Sequence, residues 1–194
     1  VTKDFVTSLL AWQKDQKVLH RKYCIMLLLQ CIKYFKTVPT LMDISMGDAE
    51  VFNVCGDTHG QYYDVLNIFE INGMPSPTNP YLFNGDFVDR GSFSVEVIVA
   101  FLSLKLLYPD SFFITRGNHE TKGMNRIYGF EGEVKHKYDE TVMNLFTEAF
   151  CTLPLSAVIE KKIFVVHGGL FSTDEVKLDD IRKVDRFREP PEAG

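Results

Sequence analysis

The chain has 194 residues, 45% of them apolar and 24% charged, with a net charge of −5. This is enough for one domain with a sizeable core and is the balance of an ordinary soluble globular protein. The acidic balance argues against a nucleic-acid partner held on a broad basic surface. The longest apolar run, Cys24 to Leu29, is too short to span a membrane. Cys24, Cys31, Cys55 and Cys151 sit in apolar contexts without a C-x-x-C pair. They read as buried free thiols of a reducing compartment, so a cytoplasmic location, with the nucleus also open, is expected. The chain opens Val1-Thr2-Lys3-Asp4 with neither methionine nor a leader-type stretch, which reads as part of a longer polypeptide.

Residues 3 to 36 have helical spacing. Phe5, Leu9 and Trp12 fall at i, i+4, i+7, and Leu19, Tyr23, Met26, Leu27 and Gln30 continue the pattern after a charged break at Lys14 to Lys17. Cys24 and Cys31 share a face of this helix, and His20 reads as a surface residue. Pro39 closes the region, and Thr40 to Glu50 reads as a connector.

The apolar run Val51 to Cys55 predicts a short buried strand, and it exits into Gly56-Asp57-Thr58-His59-Gly60. Residues two apart at a strand exit point the same way, so Asp57 and His59 converge on one point. A carboxylate beside an imidazole suits a divalent metal; taken alone, the stretch also reads as an Asx-type turn with a surface histidine. A helix is expected over Tyr62 to Asn72 with Gly73 as its C-terminal cap, then a proline-bearing loop, Met74 to Pro80. The strand Tyr81 to Phe83 runs into Gly85-Asp86-Phe87-Val88-Asp89-Arg90-Gly91. Ser92 to Tyr108 predicts a helix striped with Val95, Ile98, Val99, Leu102 and Leu106. The strand Phe112 to Ile114 runs into Arg116-Gly117-Asn118-His119-Glu120.

Lys122 to Tyr138 reads as a long irregular loop, with His136 facing solvent, and such loops tend to be functional. A helix over Val142 to Phe150 and a strand at Ala157 to Ile159 follow. A turn at Glu160 to Lys162 leads to the strand Ile163 to Val166, which ends in His167-Gly168-Gly169. Asp179 to Lys183 predicts a helical turn, and Asp185 to Gly194 is charged and proline-rich. The alternation of strands and helices predicts an α/β sheet covered by helices, with ligands at the carboxyl ends of its strands.

Four apolar runs thus end in glycine beside Asp, Asn or His. Together they describe a two-metal site, in which a shared carboxylate bridges ions about 3.5–4 Å apart. Asp86, central in the series, is the candidate bridge. Asp57 and His59 complete one ion; Asn118 and His167 begin the second. A water activated between such ions is a nucleophile for phosphorus. His119, beside a ligand but aimed elsewhere, suits proton donation to the leaving oxygen. Asp89 suits the orientation of that imidazole and the support of its charged form. The alternative for His119 and Asp89 is a buried structural pair. Arg90 offers a fork of donors for phosphate, whereas Arg116 is expected in a structural ion pair.

These motifs, Gly-Asp-Thr-His-Gly, Gly-Asp-Phe-Val-Asp-Arg-Gly, Arg-Gly-Asn-His-Glu and His167-Gly168-Gly169-Leu170, resemble those of the PPP-type metal-dependent serine/threonine protein phosphatases. Residues 79–97 and 127–138 resemble the type 5 branch most. The resemblance implies hydrolysis of phosphoserine and phosphothreonine without a phosphoenzyme, with Mn, Fe or Zn as the two ions. It implies Asp57, His59 and Asp86 on one ion, Asp86, Asn118 and His167 on the other, His119 as general acid backed by Asp89, and Arg90 and Asn118 toward phosphate. The implied fold is α+β, a metallophosphoesterase-like β-sandwich flanked by helices.

By the same resemblance, a helical lead-in (1–38) and a metal-binding core (50–170) make up roughly the first two thirds of one catalytic domain. A further metal histidine and a second phosphate-binding arginine lie beyond. The chain alone is therefore expected to be weakly active or inactive, with uncovered edges that favour self-association. Phosphoproteins are the expected substrates. Chaperone-type partners are expected through a tetratricopeptide-repeat domain outside this chain, and neither nucleic acid nor membrane is expected as a partner. Two alternatives remain open: a metallophosphoesterase acting on nucleotides or phosphodiesters, and a non-catalytic scaffold that keeps the fold.

Overall fold

The computed structural model describes residues 1–169 and 171–191; Leu170 of the fourth motif and residues 192–194 of the proline-rich tail lie outside the described residues. Two helices, α1 (Lys3–Lys14) and α2 (Arg21–Phe35), open the chain. Their buried faces are rotated from the expected stripes. Val6, Leu9, Leu10 and Gln13 face inward on α1, and Cys24, Leu27, Leu28, Cys31, Ile32 and Phe35 on α2. Trp12, Tyr23 and Met26 are exposed. Apolar residues fill more than one face of these helices, and spacing alone does not choose which face meets the core.

The expected single sheet is two three-stranded sheets. The first holds β1 (Leu41–Ile44), β5 (Ser156–Ile159) and β6 (Ile163–Val166) in the order β1-β5-β6. The second holds β2 (Asn53–Cys55), β3 (Tyr81–Asn84) and β4 (Phe112–Thr115), all parallel, in the order β2-β3-β4. β1 lies within the stretch read as a connector. It pairs in parallel with β5, from Leu41 opposite Ser156 to Ile44 opposite Ile159, a partner far along the chain that leaves no local trace.

Alternation along the strands builds the layers. Leu82 and Phe113 of the second sheet pack against Met42, Ile44, Ala157, Ile159 and Val165 of the first, so the two sheets form a sandwich. Tyr81, Phe83, Phe112 and Ile114 point the other way, into a larger core shared with α1, α2, α3 (Tyr62–Asn72), α4 (Ser94–Leu107), α6 (Phe130–Lys137) and α7 (Glu140–Thr152). The outer face of the first sheet is covered by Ile181 of α8 (Leu178–Arg182) on Leu41 and Val158. α4 is buried on all sides from Ser94 to Lys105 rather than along one stripe, because helices and sheet surround it.

The expected loop at 122–138 is instead α5 (Lys122–Tyr128) and α6, broken at Gly129, whose φ of 113° needs a residue without Cβ. Tertiary partners make these helices where propensity is weak. Phe130 and Val134 enter the core. Lys137 bridges Glu133 and the buried Glu96, and the Glu133 carboxylate accepts the N–H groups of Ser94 and Val95 that open α4. The C-terminal stretch is anchored by buried Arg186, which donates to the carbonyls of Thr152, Phe35 and Val38 and to Thr40 Oγ1. Among the described residues, no helix is long and apolar enough to cross a membrane.

Candidate metal centre

Because β2, β3 and β4 run parallel and in register, their carboxyl ends lie side by side. The Asp57, Asp86 and Asn118 turns therefore share one edge of the sheet. β6 approaches from the other sheet, and Asn84 Nδ2 donates to the carbonyl of Val166, which fixes the entry of His167 across the sandwich. The four predicted turns converge. Asp86 Oδ2 lies 3.3 Å from His167 Nε2 and 3.7 Å from His59 Nε2. Asp57 Oδ2 is 3.8 Å from His59 Nε2, and Asn118 Oδ1 is 2.9 Å from His167 Nε2.

This donor set fits divalent cations. His59 Nδ1 sits 2.8 Å from the Val88 carbonyl, and His167 Nδ1 sits 2.7 Å from the Asn84 carbonyl. Each Nδ1–H donates outward, so each Nε2 turns a lone pair inward, the outer-shell arrangement of metal-ligating histidines. The lone pairs of His167 Nε2, Asn118 Oδ1 and Asp86 Oδ2 then face one another and need a proton or a cation between them. Without a metal, the proton fills that role: the Asp86 hydrogen bond, opposed by burial, pushes the His167 imidazole up to about 9. Burial pushes the Asp86 carboxyl up, but hydrogen bonds from His167 and the His119 amide outweigh it and hold it below its usual range.

Asp86 is the common member of two clusters able to hold a cation, His59–Asp86–His119 and Asp57–Asp86–His167. Asp57 also lies near His167, 3.9 Å from its Nδ1, and the His119 ring stands edge-on to His59 with centroids 4.7 Å apart. The His119 Nδ1 is engaged by Asp89 Oδ2 at 2.8 Å, and both side chains are buried. Its Nε2 accepts from Arg90 Nη2 at 3.3 Å. Arg90 itself is exposed beside the ring of Tyr128. Arg116 has the structural role expected of it, donating to Glu120 O, Arg188 O and Glu189 Oε1.

The backbone here is strained. Among the described residues, His59, Asp86, Asp89 and Arg90 all have positive φ, from 37° to 71°. Non-glycine residues adopt such angles where the surroundings over-determine them, often at functional sites. The turns are also in contact: a Cβ on Gly117 would lie 2.2 Å from Asp86 Oδ1.

Three residues at the site carry no expected role. Glu120 accepts three backbone N–H groups from two of the turns. Asn125 donates to Asp89 Oδ2 and the His119 carbonyl. Tyr128 packs its ring, tilted, against His119 with centroids 5.0 Å apart and accepts the Arg90 N–H on its carbonyl. Asn125 and Tyr128 lie in the segment read as irregular; the helical placement of α5 aims them inward. Glu120 stands within a motif, and its place directly after Asn118 and His119 was the available signal.

A family profile described as calcineurin-like phosphoesterase matches residues 51–194, most of the chain. The chain belongs to the calcineurin-like phosphoesterase family. A second profile, described as the PPP5 TPR repeat region, matches residues 1–43, the stretch of α1 and α2. Against the expectation that a tetratricopeptide-repeat portion lies wholly outside the chain, residues 1–43 match a profile of that description and pack on the phosphoesterase core.

Among relatives, the chain is 57% identical over 194 residues to human Serine/threonine-protein phosphatase 5, covering all of this chain and 39% of the relative. It is 57% identical to the Arabidopsis thaliana protein of that name, covering 36% of it. With Serine/threonine-protein phosphatase T of Trypanosoma brucei the identity is 52%, over 41% of the relative. The chain thus spans well under half the length of these relatives. A solved serine/threonine phosphatase from Saccharomyces cerevisiae, described as similar to human phosphatase PP5, superposes with a TM-score of 0.96 at 42% identity, over all of this chain and 62% of that one. The sandwich flanked by helices is therefore the calcineurin-like phosphoesterase fold.

Proposed function

We propose that this phosphoesterase hydrolyses phosphoserine and phosphothreonine in proteins, with two divalent ions, Mn, Fe or Zn, and without a covalent enzyme intermediate. One observation carries the reading: Asp86 is shared by two cation-capable clusters, and one of them includes His119 of the buried His119–Asp89 pair. The similarity to phosphatases named for serine and threonine supports the substrate class.

Asp57, His59, Asp86, Asn118 and His167 would hold the ions. Bound divalent ions supply Lewis acidity toward phosphoryl oxygens and lower the pKa of water toward neutrality. The chain's own groups do the rest. Arg90 swings from His119 Nε2 to phosphate oxygens, a planar fork meeting a tetrahedral anion. Released from Arg90, His119 holds a proton at Nε2 and gives it to the serine or threonine oxygen as the P–O bond to that oxygen breaks and a water oxygen bonds to phosphorus. Asp89 fixes the ring through Nδ1. Asp89 is itself held by Asn125 and by the Phe130 N–H at 2.9 Å, so the imidazole cannot rotate away. The partners of this reading are phosphoproteins, together with proteins that bind tetratricopeptide repeats.

The test is turnover with Mn²⁺, by the intact protein, of a phosphoserine peptide, a phosphotyrosine peptide, bis-nitrophenyl phosphate and a dinucleoside polyphosphate. Preference for the phosphoserine peptide is expected. Preference for the diester or the polyphosphate would move the function to phosphodiester or nucleotide chemistry; Mn²⁺ binding without turnover of any substrate would favour a scaffold.

A further inference from the structure

Glu120 is fully buried, and among the described residues no cation pairs with its carboxylate. Backbone N–H groups satisfy it instead. Oε2 accepts from Asp86 and from Gly117, and Oε1 accepts from Phe87, each at 2.8 Å. These donors belong to two turns, one carrying Asp86 and the other Asn118 and His119. The tie is reciprocal: Asp86 Oδ1 accepts the His119 N–H at 2.8 Å while the Asp86 N–H goes to Glu120. Each turn therefore holds the other by a carboxylate-to-amide bond. The contact is close enough that a Cβ on Gly117 would lie 2.8 Å from Glu120 Oε2. The backbone of Asp86, at φ 52°, needs such restraint, since few residues rest there unaided.

We propose that Glu120 is a positioning residue of the metal centre. It binds no ion; it locks the Asp86 turn to the Asn118–His119 turn and so sets the spacing of donors that the two cations require. The inference rests on the two-metal reading above. An isosteric amide tests it, because three N–H donors converge on two oxygens. In Glu120→Gln, one oxygen becomes an NH₂ that must face an N–H, and the turns part.

The experiment is calorimetric titration of the metal-free chain with Mn²⁺, alongside thermal unfolding of the same metal-free samples. Wild type, Glu120→Gln and Glu96→Gln are compared. Glu96 is also a buried carboxylate, but it pairs with Lys137, away from the turns. Removing an outer-shell partner typically lowers metal affinity about 10–100-fold. That loss is expected in Glu120→Gln, with wild-type affinity kept in Glu96→Gln at a similar loss of Tm. Equal affinity in wild type and Glu120→Gln, or an equal loss in both variants, would overturn the proposal. If wild type itself bound no Mn²⁺, the two-metal reading would fall first. Should Glu120→Gln not fold, amide exchange of metal-free wild type decides: slow exchange at Asp86, Phe87 and Gly117 supports the lock, and exchange as fast as in exposed loops refutes it.

Discussion

Asp86 is joined to His119 through the backbone: one carboxylate oxygen accepts the His119 N–H at 2.8 Å, and the other faces His167 and His59. The candidate bridge between cations and the candidate proton donor are thus parts of one rigid unit. The two can be separated by substitution, because each acts through a different atom.

In Asp86→Asn, the amide oxygen can still take the His119 N–H, but the charge shared by both clusters is gone. Both ions are expected to bind more weakly, by at least the about 10–100-fold seen when outer-shell partners are lost. Elemental analysis after dialysis checks this, and two retained ions of unchanged affinity would remove Asp86 from the bridging position.

His119→Asn in the intact protein should behave differently. Metal content is expected to stay near wild type while turnover of a phosphoserine peptide falls about 10²–10⁴-fold, the usual worth of general-acid catalysis. Nitrophenyl phosphate, whose leaving group needs little protonation, should lose less. Equal losses for the two substrates would point to positioning rather than proton transfer.

Lys105 gives a pH signature away from the site. It is buried, its ammonium donates to the Pro109 carbonyl at 2.6 Å, and burial lowers its pKa from 10.5 to about 8. Between those values the unfolded chain holds a proton that the folded chain has released, so stability rises with pH across that window. Below about pH 8 both states are protonated and the penalty of burying the charge is constant. The stability difference between wild type and Lys105→Met, from urea unfolding, should therefore shift toward wild type from pH 8 to 10.5. A pH-independent difference would show that Lys105 keeps its ordinary pKa.

Lys137 holds Glu96 at 2.6 Å and Glu133 at 2.8 Å, with all three side chains largely buried. Lys137→Met leaves two carboxylates uncompensated, and breaking such a buried arrangement by removing one partner costs about 3–5 kcal/mol. The loss should appear in urea unfolding. A loss under about 1 kcal/mol, in the range of an exposed pair, would mean the cluster is solvated in solution.

The sequence by itself marked the residues that the fold brings together at the candidate site. Asp57, His59, Asp86, Asn118 and His119 follow an apolar run and a glycine, and His167 stands between an apolar run and two glycines, because a strand exit that approaches a cation or a phosphate needs an open backbone. The helix over Tyr62–Asn72 was equally legible, since its apolar spacing and Gly73 agree on one answer. Tertiary structure decided what depends on distant partners. β1 exists because β5 lies beside it, and the β1-β5-β6 sheet follows from that pairing. α5 and α6 form because Asp89, Glu96 and the core receive them, although glycines dilute their helical pattern. Glu120 and Asn125 gain roles only when turns far apart in the chain meet, for a hydrogen bond to a backbone N–H or carbonyl leaves no mark on the identity of the residue that supplies it.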